Sequence, residues 1–229
     1  NCTLLEKIEF GNNINTSSLI TMESMFNECS NLKSLDLSRF NTNKVENFNF
    51  LLNYCKNLVE INLGNINTSS AKNFQSFFEY CEKLELIDIS NFNTSSVTNM
   101  FHMFFHCYDL KIIIFPEILD TSKVTTADAM FSHCTSLITL NLSNFHINSN
   151  VVMHYMFHNC YKLKYLDLSN FSFNPITRLQ CTFRLLTSLV YLNIPNLEIN
   201  ANSNMDRTFE LHSSFLKVCS KQPNMIQNI

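Results

Sequence analysis

Three sets of side chains in this sequence have the types and spacing to do chemistry. Cys29, Cys55, Cys81, Cys107, Cys134 and Cys160 follow one another at steps of 26, 26, 26, 27 and 26 residues. Thiols in such a series could bridge, ligate a soft metal or act as nucleophiles. His102 and His106 stand four residues apart, and His133 occupies in the next interval the place of His106. Imidazoles at that spacing could share a zinc or copper ion. Asp36, Asn62, Asp88, Asn141, Asp167 and Asn193 recur at the same interval, and a column of oxygens could hold calcium.

The interval itself sets the architecture. Extended backward it reaches Cys2, and extended forward it reaches Leu186 and His212. An apolar residue follows three positions after each anchor, from Leu5 through Leu32, Leu58, Leu84, Leu110, Leu137, Leu163 and Leu189 to Phe215. Self-similarity at a fixed period is the mark of a repeat array. Within the unit that starts at Cys81, Leu84, Ile87 and Ile89 face one way while Leu86 and Asp88 face the other, which predicts a short strand. Val97, Met100, Met103, Phe104 and Cys107 recur at three- and four-residue steps, which predicts a helix. The intervening "NFNTSS" offers side-chain oxygens suited to capping that helix.

Stacked copies of such a unit predict an α/β repeat solenoid, a curved leucine-rich-repeat stack with parallel strands on the concave face and helices on the convex face. The curvature follows from spacing, since strands lie roughly 4.8 Å apart and helices roughly 8 to 10 Å apart. A single array spans residues 1–229: a partial first repeat at 1–21, complete repeats over 22–210, and a degenerate repeat or cap at 211–229. The polypeptide is expected to carry further repeats or domains.

This frame weighs against each chemistry. On a helix stripe the six column cysteines would lie too far apart to bridge, which predicts buried reduced thiols as a structural column. Cys181 and Cys219 fall outside it and are the better candidates for pairing. No HExxH glutamate accompanies the histidines, so solvated surface imidazoles are favoured over a metal site. Alternation with Asn dilutes the acidic column, so an outward hydrogen-bonded Asp/Asn ladder is favoured over calcium. No Gly-rich phosphate loop, nucleophile elbow or Ser, His and acid trio stands out. The chain is expected not to be an enzyme and to need no cofactor.

With a net charge of -3 and 15% charged residues, the sequence lacks the basic field that holds a phosphate backbone, and no nucleic-acid partner is expected. No apolar run approaches the roughly 18 to 20 residues of a membrane span. The pattern is irregular at "KIIIFPEILD", with Pro116 and an inserted residue, and the copies from Thr182 onward are degenerate. The first of these places Ile112 and Ile114 beside Leu86 on the outward sheet positions, with Tyr165 and Tyr191 further along. Exposed apolar and aromatic clusters mark interfaces, so these five are the candidate partner-binding residues. The other reading is that Pro116 re-registers the strand and buries Ile112 or Ile114.

The blocks "MESMFNECSNLKSLDLSRFNT" from Met22, "MFHMFFHCYDL" from Met100 and "MHYMFHNCYKLKYLDLSNF" from Met153 resemble the BspA-like leucine-rich repeats, including the mycoplasma type. The resemblance covers nearly all of the chain and implies a surface or secreted protein associated with adhesion, binding a protein or glycan partner through the concave sheet. The alternative is an intracellular scaffold subunit, which the reduced-cysteine column suits. Sequons at Asn1, Asn15, Asn67, Asn93, Asn141 and Asn170 mostly come with the repeat consensus.

Overall fold

The structure, a computed structural model, describes residues 2–11, 13–64, 66–147, 151–173, 179–195, 197 and 206–210, and the backbone of 217–219. Among the described residues eight strands follow at repeat intervals: β1 (Ser34–Asp36), β2 (Glu60–Asn62), β3 (Leu86–Asp88), β4 (Ile112–Ile114), β5 (Thr139–Leu140), β6 (Tyr165–Asp167), β7 (Tyr191–Asn193) and β8 (Lys217–Cys219). Pairing is parallel and in register, with Ser34 opposite Glu60, Leu86 opposite Ile112, and Tyr165 opposite both Thr139 and Tyr191. The pairs β1–β2 and β3–β4 form two short sheets, and β5 to β8 form a third. Alternation is as the sequence predicts: Leu35, Ile87 and Leu166 point inward and are buried, while Leu86, Asp88 and Tyr165 point outward.

The second half of each repeat corrects the sequence-based expectation. None of the described residues there is helical. Amides instead alternate between two uses. Phe48, Phe50, Leu52 and Tyr54 donate to Asn73, Gln75, Phe77 and Glu79 of the next repeat. Leu51, Asn53 and Cys55 donate three residues back, to Phe48, Phe50 and Leu52. The result is a second ladder, a turn layer, opened by parallel bridges from Thr21 through Asn47, Asn73, Asn99 and Thr126 to Val152. Two residues per repeat take positive φ, among them Phe50 (55°) and Tyr54 (59°), and fifteen described non-glycine residues do so in all. That conformation costs an L-residue about 1 to 2 kcal/mol. The cost is offset because the amide of nearly every one is a rung to the next repeat.

The helix-like pattern has a physical origin. Tandem turns return the chain to one face every three or four residues, so Phe48, Leu51, Leu52 and Cys55 are all fully buried. A helix would give the same apolar spacing. Both layers stand at hydrogen-bonded separation, so nothing forces the strand side to be the concave one.

The predicted cap residues also serve between repeats. Thr68 Oγ1 accepts the amide of Asn93 (2.7 Å) and donates to its carbonyl (2.9 Å). Thr42 bonds Asn67 and Thr121 bonds His146 in the same way. These hydroxyls are almost fully buried and link the connecting segment of one repeat to that of the next. Between the layers runs a column of buried phenylalanines, Phe78, Phe104, Phe131, Phe157, Phe183 and Phe209, stacked at centroid distances of 5.3–6.0 Å. The expected cap over 211–229 lies outside the described residues, apart from β8.

Candidate functional site

The outward face of the strand layer is regular over β1, β2, β3, β5 and β6. At its regular positions an Asp or Asn accepts the amide two residues on: Asp36 from Ser38, Asn62 from Gly64, Asp88 from Ser90, Asn141 from Ser143 and Asp167 from Ser169. Bonds from the Ser38 hydroxyl and amide hold the Asp36 carboxyl below its ordinary range. Asn193 Nδ2 donates to Asp167 Oδ1 at 3.0 Å, a side-chain rung between β6 and β7. The Asp/Asn column therefore spends its oxygens mainly on closing turns. Among the described residues no group of three or more His, Cys, Asp or Glu could hold a metal ion.

In β4 both partners of the turn bond are replaced. Ile114 stands where the column has Asp or Asn, and two residues on stands Pro116. Isoleucine has no acceptor and proline has no amide to donate. Both halves of the turn bond are lost together, so no buried group is orphaned by the change. Register survives, with Leu86, Ile87 and Asp88 opposite Ile112, Ile113 and Ile114. Re-registration does not occur. Leu86, Ile112 and Ile114 remain 47%, 52% and 40% exposed.

The inserted residue pushes the chain out after β4. Phe115 packs edge-on against Phe131 and Phe145, while Ile118 reaches solvent at 84% exposure. The groove this opens, about 810 Å³, runs between Ile114, Phe115, Pro116 and Ile118 on one side and Asn91, Asn93 and Ser95 on the other. It continues the aliphatic patch of the strand face.

Tyr165 is exposed and sits opposite Tyr191, which is half-buried. Three further apolar residues are exposed at the position preceding a strand: Val59 before β2, Ile138 before β5 and Val190 before β7. Other repeats place Lys33, Glu85, Lys111 and Lys164 there, and that contrast was the signal. Lys111 pairs with Glu85 at 2.7 Å beside the patch.

The column cysteines are buried free thiols. They do not lie on helices at wide spacing. From Cys55 onward each donates to a backbone carbonyl of the preceding repeat, Cys55 to Phe26, Cys81 to Leu52, Cys107 to Phe78, Cys134 to Phe104 and Cys160 to Phe131, at 3.1–3.3 Å. Burial pushes the Cys55 and Cys160 thiols up to about 12, so they stay protonated and serve as donors. Cys181 is a buried free thiol in the turn layer, whereas the Cys219 backbone pairs with Asn193 in the strand layer. The Cys219 side chain lies outside the described residues.

The histidines are not solvated as expected. His106 stacks between Tyr80 (4.5 Å) and His133 (4.1 Å), and Tyr80 stacks on Tyr54 (4.3 Å). His102 lies between Phe101 and Phe105, with Nδ1 3.2 Å from Glu79 Oε1.

A family model matches residues 3–115 and 113–222, described as "Mycoplasma protein of unknown function, DUF285". The chain belongs to this family. It is the mycoplasma-type repeat whose motifs the sequence carries. No curated protein matches the chain. Among solved structures it is similar to a leucine-rich cell surface protein from Faecalibacterium prausnitzii A2-165, at 16% identity over 90% of this chain and 77% of the other, with a TM-score of 0.37. A leucine-rich repeat protein from Bacteroides ovatus ATCC 8483 is similar at 14% identity over 87% of this chain and 66% of the other, with a TM-score of 0.36. No helix among the described residues is long and apolar enough to cross a membrane.

Proposed function

We propose that this repeat array is a non-enzymatic interaction module of a surface-displayed or secreted protein, of adhesion type, which binds a protein or glycan partner through its strand face. Leu86, Ile112 and Ile114 form the contact centre, Tyr165 and Tyr191 extend it, and the groove beside Ile118 receives part of the partner. One observation carries this reading: the joint replacement at Ile114 and Pro116 removes donor and acceptor together and keeps the register while exposing aliphatic side chains.

The test is binding of the purified chain to immobilised fibronectin, laminin and a glycan array, beside a variant carrying Ile112→Thr and Ile114→Asn. The expected outcome is capture of at least one probe and a tenfold or greater loss in the variant with an unchanged melting temperature. Equal binding by the variant, or a loss that tracks unfolding, contradicts the reading.

The second reading is an intracellular scaffold subunit, favoured by the column of protonated, unbridged thiols. Glycan at the exposed Asn67 or Asn93 of natively purified protein would sink it. A full complement of free thiols with no glycan would support it.

A further inference from the structure

The turn layer carries a run of imidazoles in three successive repeats: His106, His133 and His158. The rings of His106 and His133 are stacked 4.1 Å apart, and His133 meets His158 edge-on at 5.3 Å. His106 and His133 occupy positive-φ positions, and their amides donate to Ser132 and His158 of the next repeat. The rings therefore sit on the rungs that join the repeats.

Every hydrogen bond the run makes fits neutral rings. Asn159 Nδ2 donates to His133 Nε2 at 2.6 Å, so the proton of that ring lies on Nδ1, which faces Ser132 Oγ at 3.0 Å. A second proton on Nε2 would meet the hydrogens of the Asn159 amide. His106 Nδ1 contacts the Tyr108 hydroxyl at 2.5 Å. His158 is 8% exposed, and its Nδ1 is buried without a hydrogen-bond partner among the described residues.

The charged and titratable neighbours are mixed. His106 faces Tyr80, Tyr108, His102, Lys56, His133 and Glu79, of which only Glu79 favours its protonation. His158 faces Tyr155, His133, Arg184 and Glu210; a hydrogen bond to the Arg184 backbone and the Glu210 carboxylate favour its protonation, while burial, His133 and the Arg184 charge oppose it. His133 faces the other two imidazoles, Ser132 and Asn159.

We propose that His106, His133 and His158 form an acid-sensitive latch: below about pH 6 their protonation releases the turn-layer rungs between Tyr80 and Arg184 while the strand layer holds. Burial, and then the neighbouring imidazole, depress His106 and His158 to about 4, and burial lowers His133. In an opened layer the same rings regain their ordinary value near 6.5. The opened layer therefore binds more protons, and the closed layer loses its advantage as pH falls from about 6.5 toward 4. For one such ring at pH 5 the opening equilibrium grows about 30-fold.

The test is amide exchange by mass spectrometry on the intact chain at pH 7 and pH 5, corrected for intrinsic rates. The comparison is a variant with His106→Tyr and His133→Tyr, which continue the Tyr54–Tyr80 stack, and His158→Asn, the residue of the same position in the repeat of Asn53. Protection of the His106, Phe131, His133 and Phe157 amides is expected to fall at least tenfold at pH 5 in the parent and to stay constant in the variant, with the β3–β4 amides unmoved in both. Equal protection at the two pH values, or the same loss in the variant, would overturn the latch. Should the variant not fold, proton NMR titration of the parent decides: midpoints below 5.5 support the latch, and midpoints near 6.5 refute it.

Discussion

The two layers of this molecule solve one problem, joining repeats through backbone hydrogen bonds, at different conformational cost. The strand layer does so in the relaxed extended region, and its one described positive-φ residue is a glycine, Gly64. The turn layer places Ser, Glu, Phe, Tyr, His and Ala in the left-handed region without any glycine. It recovers the cost from rungs, from thiols bonded to carbonyls and from stacked rings. The relaxed layer has latitude to vary its outward side chains, and there the aliphatic patch lies. The strained layer is held by its neighbours on both sides, so its variation is confined to the rings and amides that stack along it.

The largest effect is expected from breaking the core that both layers share. Phe131→Ala removes a ring stacked between Phe104 and Phe157 and is expected to cost about 3 to 5 kcal/mol in urea unfolding. A cost under about 1 kcal/mol would mean that the layers do not depend on a common column.

Thr68→Val comes next. It leaves the volume but deletes the hydroxyl that serves both the amide and the carbonyl of Asn93, and about 1 to 3 kcal/mol should be lost. The pair Ile112→Thr and Ile114→Asn should lie within about 0.5 kcal/mol of the parent in the same assay, because both side chains already face water and Asn is a residue type of the column at that position. That gap separates a hydroxyl buried in the repeat-to-repeat junction from the outward strand face.

The strand layer was legible from residues because period-two alternation has no close competitor: Leu86, Ile87 and Asp88 can face out, in and out only on a strand. The exposure of Ile112 and Ile114 was legible for the same reason, given that the register held. The turn layer was not, since Val97, Met100, Met103, Phe104 and Cys107 satisfy helices and tandem turns equally. A clue was present in composition. Segments such as "NFNFLLNYC" and "NMFHMFFHC" are rich in Asn, Phe, Tyr and His, all poor helix formers. The thiol column was expected as buried and reduced on the ground of wide helix spacing, and the actual arrangement is thiol-to-carbonyl bonding across a narrow ladder. The histidine stack needed the ladder itself, because only at that separation do His106 and His133 meet face to face.

The most direct test of the two-ladder account is the stability of Ser24→Gly. Ser24 is exposed, has a φ of 56°, and uses its amide on the rung to Asn49. In a left-handed turn glycine relieves about 1 kcal/mol of strain, so the variant should melt roughly 2 to 4 °C higher. In a helix the same change would cost about 0.5 kcal/mol, and a lower melting temperature would contradict the turn layer.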